Sequence, residues 1–273
     1  MNHIELKVND VSDEQLCYYR LQARNHAGLT GRLFINDVEV HRFSPEQSQI
    51  SCDNIQNWLM PGENYVVISI TDGGEFDTLG DNPLYECSLH GMTRPGIPDE
   101  ANCLWNITLE SAEKEFPMSR AWQFSFTSLQ VPTSQLWRSA EIVEVLNDND
   151  RNDIMALQNK LVSAFEEGKS DEVLKIYDFI LVDEAGMLHD SVQVSTGQAA
   201  EEMEVISDMT QQGLVKFSQQ HDVYFNHIVG NRVIQLCSDE GGATVTINGG
   251  EGEYIDLNIF ASRIDSEWQL VRR

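Results

Sequence analysis

The residues best suited to proton-transfer chemistry stand in two stretches of the second half of the chain. In residues 253–261, "EYIDLNIFA", strand alternation puts Tyr254, Asp256, Asn258 and Phe260 on one face and Ile255, Leu257, Ile259 and Ala261 on the other. An Asp256 buried beside Tyr254 is a general-base candidate, because burial disfavours the charged carboxylate. On a face that meets water or a partner, the same residues do no chemistry. His227 shares a face of "VYFNHIV" with Val223, Phe225 and Val229. There a hydrogen-bonded core histidine competes with a proton-transfer role. The remaining histidines show no H-x-x-x-H or H-x-H spacing, and the five cysteines (Cys17, Cys52, Cys87, Cys103, Cys237) form no C-x-x-C pair. They read as buried free thiols, and no metal site is expected.

Two acidic runs invite a calcium reading. "DNDRND" (148–153) places Asp148, Asp150 and Asn152 at the first, third and fifth positions of a calcium loop. Asp153 then replaces the required glycine and Asn159 the closing glutamate, so the ligand set fails and the run reads as linker and helix cap. In "DGGEFDTLGD" the carboxylates Asp72, Glu75, Asp77 and Asp81 read as a solvated acidic loop. Nucleophile elbows, phosphate-binding glycine loops and dinucleotide fingerprints are absent, so no cofactor is expected.

Charge is the strongest compositional signal: 18 Lys+Arg against 44 Asp+Glu gives −26 over 273 residues. Residues 1–130 carry 8 against 19 (−11) and residues 131–273 carry 10 against 25 (−15), so both halves are acidic. Such a field repels nucleic acid and anionic membrane and steers basic partners inward. The sequence start lacks the basic and apolar pattern of a secretory leader, and no run of 18 apolar residues occurs, which predicts a cytoplasmic product.

The elements that must position these groups differ between the halves. In the first, short runs such as "GRLFINDVEV", "ENYVVISI", "NCLWNITLES" and "AWQFSFTSLQV" are separated by Pro and Gly turns. They predict an antiparallel β-sandwich, jelly-roll-like, over residues 1–130. Asn36 and Asp37 form the tip of one hairpin, and "LMPGEN" is a turn into the next strand. Phe34, Asn36, Val38, Leu59, Pro61, Gly62 and Asn64 together resemble the galactose-binding-like β-sandwich, an accessory domain of many glycoside hydrolases. Asp37 departs from that pattern, standing where a glycine is usual. The resemblance implies a fold and, as one function, a carbohydrate-binding accessory role.

Residues 131–150 read as a linker, and residues 151–273 as an α+β domain of helices packed on a curved antiparallel sheet. Helical spacing begins at Ile154, with Leu157, Leu161, Ala164 and Phe165, capped by Asp153 or Asn152 and stopped by Gly168. A second helix carries Val173, Ile176, Tyr177 and Ile180, and a third covers "QAAEEMEVISDMTQQG". Five strand-like runs then follow as a meander. "LQNKLVSAFEEGKSDEVLKIYD", the late strands and the ending "IFASRIDSEWQLVRR" resemble the nuclear transport factor 2-like cone. No early strands are evident between the second and third helices. The resemblance implies a pocket, for which Tyr177, Tyr224, His227, Tyr254, Asp256 and Asn258 are the candidates, and pairing through the sheets into a homodimer.

Acidity without a catalytic motif favours a protein-binding role over an enzyme. In type it resembles the acidic immunity proteins that occlude basic bacterial toxins. Candidate contacts are Asp72, Glu75, Asp77, Asp81, Asp239 and Glu240. A small-ligand binder or enzyme using the cone pocket is the alternative.

Overall fold

The computed structural model describes residues 3–10, 16–72, 82–110, 120–128, 134–220, 222–239, 241–250 and 253–272. Helices and antiparallel-rich sheets make the chain an α+β protein. It divides into two compact units, Met1–Pro132 and Thr133–Arg273.

The strands of the first unit are β1 (His3–Glu5), β2 (Tyr18–Asn25), β3 (Thr30–Ile35), β4 (Val38–Phe43), β5 (Gln49–Cys52), β6 (Gly62–Asp72), β7 (Tyr85–Met92), β8 (Cys103–Leu109) and β9 (Arg120–Ser128). They form two sheets, ordered β1-β9-β6-β3-β4 and β5-β2-β7-β8. Every pairing is antiparallel except β1 with β9. Alternation decides which side chains go inward. On β3, Gly31, Leu33 and Ile35 are buried, and on β2, Tyr19, Leu21, Ala23 and Asn25. Leu33, Val66, Ile68 and Phe124 of one sheet and Leu21, Leu89, Trp105 and Ile107 of the other belong to a single apolar cluster. Each such aliphatic or aromatic side chain contributes roughly 1.5–3 kcal/mol on burial.

Asn36 (φ 48°) and Asp37 (φ 70°) do form the β3–β4 turn, both left-handed as a type I′ hairpin requires. Asx residues tolerate that region, which is how Asp37 substitutes for glycine. Gly62, at φ 94°, makes the other turn, where a side chain would be strained. Two buried amides then join the turns. Asn36 Nδ2 donates to Trp58 O (2.7 Å) and Asn64 Oδ1 (2.8 Å), and its Oδ1 accepts from Tyr65 N (2.9 Å). Asn64 Oδ1 also accepts from Met60 N (2.8 Å), while its Nδ2 donates to Met60 O and Gly62 O. Asn36 and Asn64, two of the residues that carried the sandwich resemblance, therefore close loops and hydrogen-bond one another.

The second unit opens with α1 (Leu136–Ser139), α2 (Asp148–Glu166), α3 (Ser170–Ile176), α4 (Asp178–Leu188) and α5 (Val192–Gln211). Two sheets follow, β10-β13-β14 and β11-β12-β15-β16, from β10 (Lys216–Gln219), β11 (Tyr224–Ile228), β12 (Val233–Cys237), β13 (Val245–Gly250), β14 (Glu253–Leu257), β15 (Ile259–Ile264) and β16 (Glu267–Arg272). Ile154, Leu161, Phe165, Val173, Ile180, Ala199 and Met203 of the helices share one cluster with Ile234, Leu236, Val245, Ile259 and Leu270 of the strands.

Here several expectations are corrected. The acidic run after residue 147 is the first two turns of α2, not a linker. Asn147 accepts from Asn149 N and Asp150 N, and Asp150 Oδ2 accepts in return from Asn147 N, so this capping box sets the start earlier than Asp153. Carboxylates are also favoured at that end by the helix dipole. Residues 134–150 are held within the unit, with Leu136, Trp137, Ala140, Val143 and Leu146 all buried. Gly168 (φ 65°) stops α2 as expected, where Lys169 N donates to Ala164 O. The second helix is two, broken at Tyr177, and residues 178–188 are helical where early strands were sought. The meander is also wrong in detail: a missed strand, β10, pairs with β13, so the β11–β12 hairpin is inserted between them.

Asp183 anchors the unit's interior. Its carboxylate accepts from Ser134 Oγ (2.8 Å), Gln135 N and Arg272 Nη1 (2.6 Å), and both partners of the ion pair are fully buried. Arg272 also lies 5.4 Å from the Trp137 ring. Burial pushes its guanidinium below the ordinary arginine range, and Asp183 acts in the opposite direction.

Candidate functional site: a polar groove and an acidic helical face

The six residues expected to line a cone pocket are spread over the α3–α4 junction, two sheets and the connection between β14 and β15. Tyr177 is buried at the α3–α4 junction, while Tyr224 (56% exposed) and the half-buried His227 belong to the β11 sheet. Tyr254 (67% exposed) and Asp256 belong to β14, in the other sheet, and Asn258 is exposed between β14 and β15. The cause is local. Asn258 interrupts what reads as one strand, and beyond it Ile259, Phe260 and Ala261 are all buried, with a bulge between Phe260 and Ala261. Asp256 is exposed and accepts a hydrogen bond from Thr246 Oγ1 at 3.4 Å, so it lacks the burial that a general-base reading needs. His227 keeps a buried Nδ1 without a hydrogen-bond partner among the described residues.

Of the candidate acidic loops, Asp72 ends β6 and Asp239 is exposed. Glu75, Asp77, Asp81 and Glu240 lie outside the described residues. The carboxylates that do cluster are elsewhere. Residues 176–215 contain no Lys or Arg and eight acids: Asp178, Asp183, Glu184, Asp190, Glu201, Glu202, Glu204 and Asp208. Asp183 is consumed by Arg272, whereas Asp178, Asp190, Glu201, Glu202, Glu204 and Asp208 are exposed. On α5, Val194, Gln198, Glu201, Val205 and Asp208 recur at helical spacing along one exposed stripe, with Val194 48% and Val205 60% exposed. The opposite face, through Ser195, Ala199, Met203 and Ser207, is the buried one.

A concavity of about 620 Å³ lies in the first unit, on the outer face of the β5-β2-β7-β8 sheet, a size typical of small-ligand sites. Register builds its floor. Ser51 pairs with Gln22, Gln22 with Ser88, and Ser88 with Asn106, giving a row of uncharged hydroxyls and amides across four strands. The next row runs Gln49, Arg24, Glu86. Pro98, Asp99, Glu100 and Cys103 form a wall, and no Phe, Tyr or Trp is among the described lining residues. His26 Nε2 reaches Glu86 at 2.8 Å.

At the groove's edge His90, only 6% exposed, is held on both nitrogens. Its Nδ1 faces Asp99 O (3.0 Å) and Asn102 Oδ1 (2.8 Å), and its Nε2 faces Ser88 Oγ (2.9 Å). Asn102 Oδ1 also accepts from Asp99 N, which fixes that amide's orientation. With two acceptors before it, Nδ1 must donate, so in the neutral ring Nε2 accepts and the Ser88 hydroxyl donates. The neighbouring thiols are in the wrong state to be nucleophiles at neutral pH: burial pushes Cys87 and Cys103 upward, Glu100 adding to the effect on Cys103.

Sequence reasoning passed over this cluster because Ser-x-His on one strand face is unremarkable, and Asn102 sits on a short turn twelve residues away. The available signals were the alternation in "CSLHG" and the Asp99–Asn102 capping box.

Among the described residues no helix is long and apolar enough to cross a membrane, and no three His, Cys, Asp or Glu side chains are grouped to hold a metal. The class these features define is an α+β chain of two units, one with a polar groove and one with an acidic helical face. Comparison with family models, curated proteins and solved structures finds no match to it.

Proposed function

We propose that this protein binds a basic protein partner through the acidic face of its second unit. In type it is an immunity protein that neutralises a cationic toxin by covering it. The single observation behind this reading is the 40-residue stretch without Lys or Arg, whose exposed carboxylates include Glu201 and Asp208 on the valine-bearing stripe of α5. Carboxylates around exposed apolar anchors suit a basic, amphipathic surface: the charges speed encounter and the valines add contact area. Exposed Tyr224, Tyr254 and Ile255 on β11 and β14 supply further anchors of the kind enriched at interfaces. For the architecture, the reading takes the first unit as a galactose-binding-like β-sandwich and the second as a nuclear transport factor 2-like cone. One apolar cluster fed by both sheets supports the first assignment, and helices sharing a cluster with antiparallel strands support the second.

The test is capture from a lysate of the native host at low and at high salt, with mass spectrometry of the bound proteins. The expected result is one basic protein retained at low salt and released at high salt. Recovery of no basic protein, or of one whose retention ignores salt, contradicts the reading.

A further inference from the structure

We propose that Ser88 is a nucleophile for acyl transfer in the groove of the first unit. His90 serves as its base, Asn102 as the residue positioning the imidazole, and the Gln22 and Asn106 side-chain amides as donors to the developing oxyanion. This site is separate from the acidic face and does not depend on the binding role.

The parts come together through strand register. Ser88 and His90, two apart on β7, point to the groove side, and the ladder is offset against β8 between Leu89 and His90, a bulge of the kind that re-aims a side chain. The Ser88 hydroxyl donates to His90 Nε2 (2.9 Å) while Nδ1 is locked by Asn102 Oδ1 and Asp99 O. Nucleophile, base and orienter thus stand in the order that activates a serine. Gln22 pairs with Ser88 from β2 and Asn106 from β8, so both residues stand on the groove face directly beside Ser88, one strand away on either side at the roughly 5 Å spacing of adjacent strands. Neither amide makes a hydrogen bond among the described residues, although each lines the groove. Side-chain amides of this type stabilise tetrahedral oxyanions when aimed at them.

In the first step Ser88 Oγ bonds to the carbonyl carbon of an ester as its proton passes to His90 Nε2. The carbonyl electron pair moves onto oxygen between the two amides. Collapse breaks the bond to the alkoxide, which takes the proton from His90 and leaves as the alcohol. A water molecule then gives a proton to His90 and attacks the acyl carbon. Ser88 departs with that proton, and the carboxylic acid is released. One Arg (Arg24) against three acids (Glu86, Asp99, Glu100) leaves the lining at −2, so the substrates are small esters with a neutral or cationic acyl group.

Diisopropyl fluorophosphate on the full-length protein tests this directly, with peptide mapping of the adduct. The expected result is a single adduct on Ser88 with loss of fluoride. It disappears in Ser88→Ala and forms about 100-fold more slowly in the folded Gln22→Ala/Asn106→Ala variant. Asn102→Ala, or Asn102→Asp if the alanine variant fails to fold, should move the pH at which labelling is half-maximal, which a purely structural asparagine would not do. Failure of folded wild type to label at Ser88, or labelling no faster than a serine in an unstructured peptide, overturns the proposal.

Discussion

The two units bury polar groups by different chemistry. In the first, Asn36 and Asn64 join two turns with neutral amides that satisfy one another. In the second, Asp183 and Arg272 join α4 and β16 to the segment before α1 through a full ion pair. Their surfaces follow the same division: an uncharged row of hydroxyls and amides floors the groove of one, and carboxylates cover the helices of the other. What the difference teaches concerns where charge is structural. Inside the second unit the buried Asp183 and Arg272 pair with one another and the buried Asp150 meets Arg263, while Glu201, Glu204 and Asp208 form no ion pair among the described residues. The fold does not require those exposed carboxylates, which leaves them free to meet a partner.

Breaking the interior devices should separate the units most strongly. Asp183→Ala leaves a buried guanidinium unpaired and should cost about 3–5 kcal/mol, enough to unfold the second unit in a denaturant titration. An unchanged midpoint would show that water or another group replaces the carboxylate. Asn64→Ala removes the acceptor of one Asn36 Nδ2 N–H, which keeps only its bond to Trp58 O, and of the Met60 amide, and should cost about 1–3 kcal/mol, with no dependence on pH between 5 and 8 because nothing in that network titrates. A strongly pH-dependent loss would reveal a titrating group in the latch.

The smallest effect concerns Glu141 at the β15–β16 turn. The Ser266 N–H and then Arg263 hold its carboxyl below the ordinary value of 4.5. Because the folded value is depressed, its contribution is fully present above pH 4.5 and fades as pH falls through the folded value. Glu141→Gln should therefore lower stability slightly above pH 4.5 and converge with wild type as pH falls through the folded value, which makes the variant's acid limb shallower. A wild-type acid limb in the variant would place the acid sensitivity elsewhere.

How much of this was readable in the sequence depended on whether the cause was local. The β3–β4 hairpin and the Pro-Gly turn are set by Asn36, Asp37 and Gly62 themselves, so both were predictable. The start of α2 is also local, yet a capping box in an acidic run looks like a charge run, so Asn147 and Asp150 fall within the expected linker. Asn258 carries no breaking signal as strong as proline, so "EYIDLNIFASRI" read as one strand and its polar face as a pocket. Asp183 and Arg272, 89 residues apart, and Ser88, His90 and Asn102 on two elements are brought together only by tertiary packing.

The central claim is that the exposed carboxylates of α5 serve recognition. The most direct measurement compares the dissociation constant of the captured basic partner for wild type and for Glu201→Lys/Glu204→Lys/Asp208→Lys. Each substitution should alter stability by no more than about 0.5 kcal/mol, so the variant remains folded. The account predicts binding weakened at least about tenfold at low salt, by a factor that shrinks as salt rises. Equal affinity of the two proteins at low salt would contradict it.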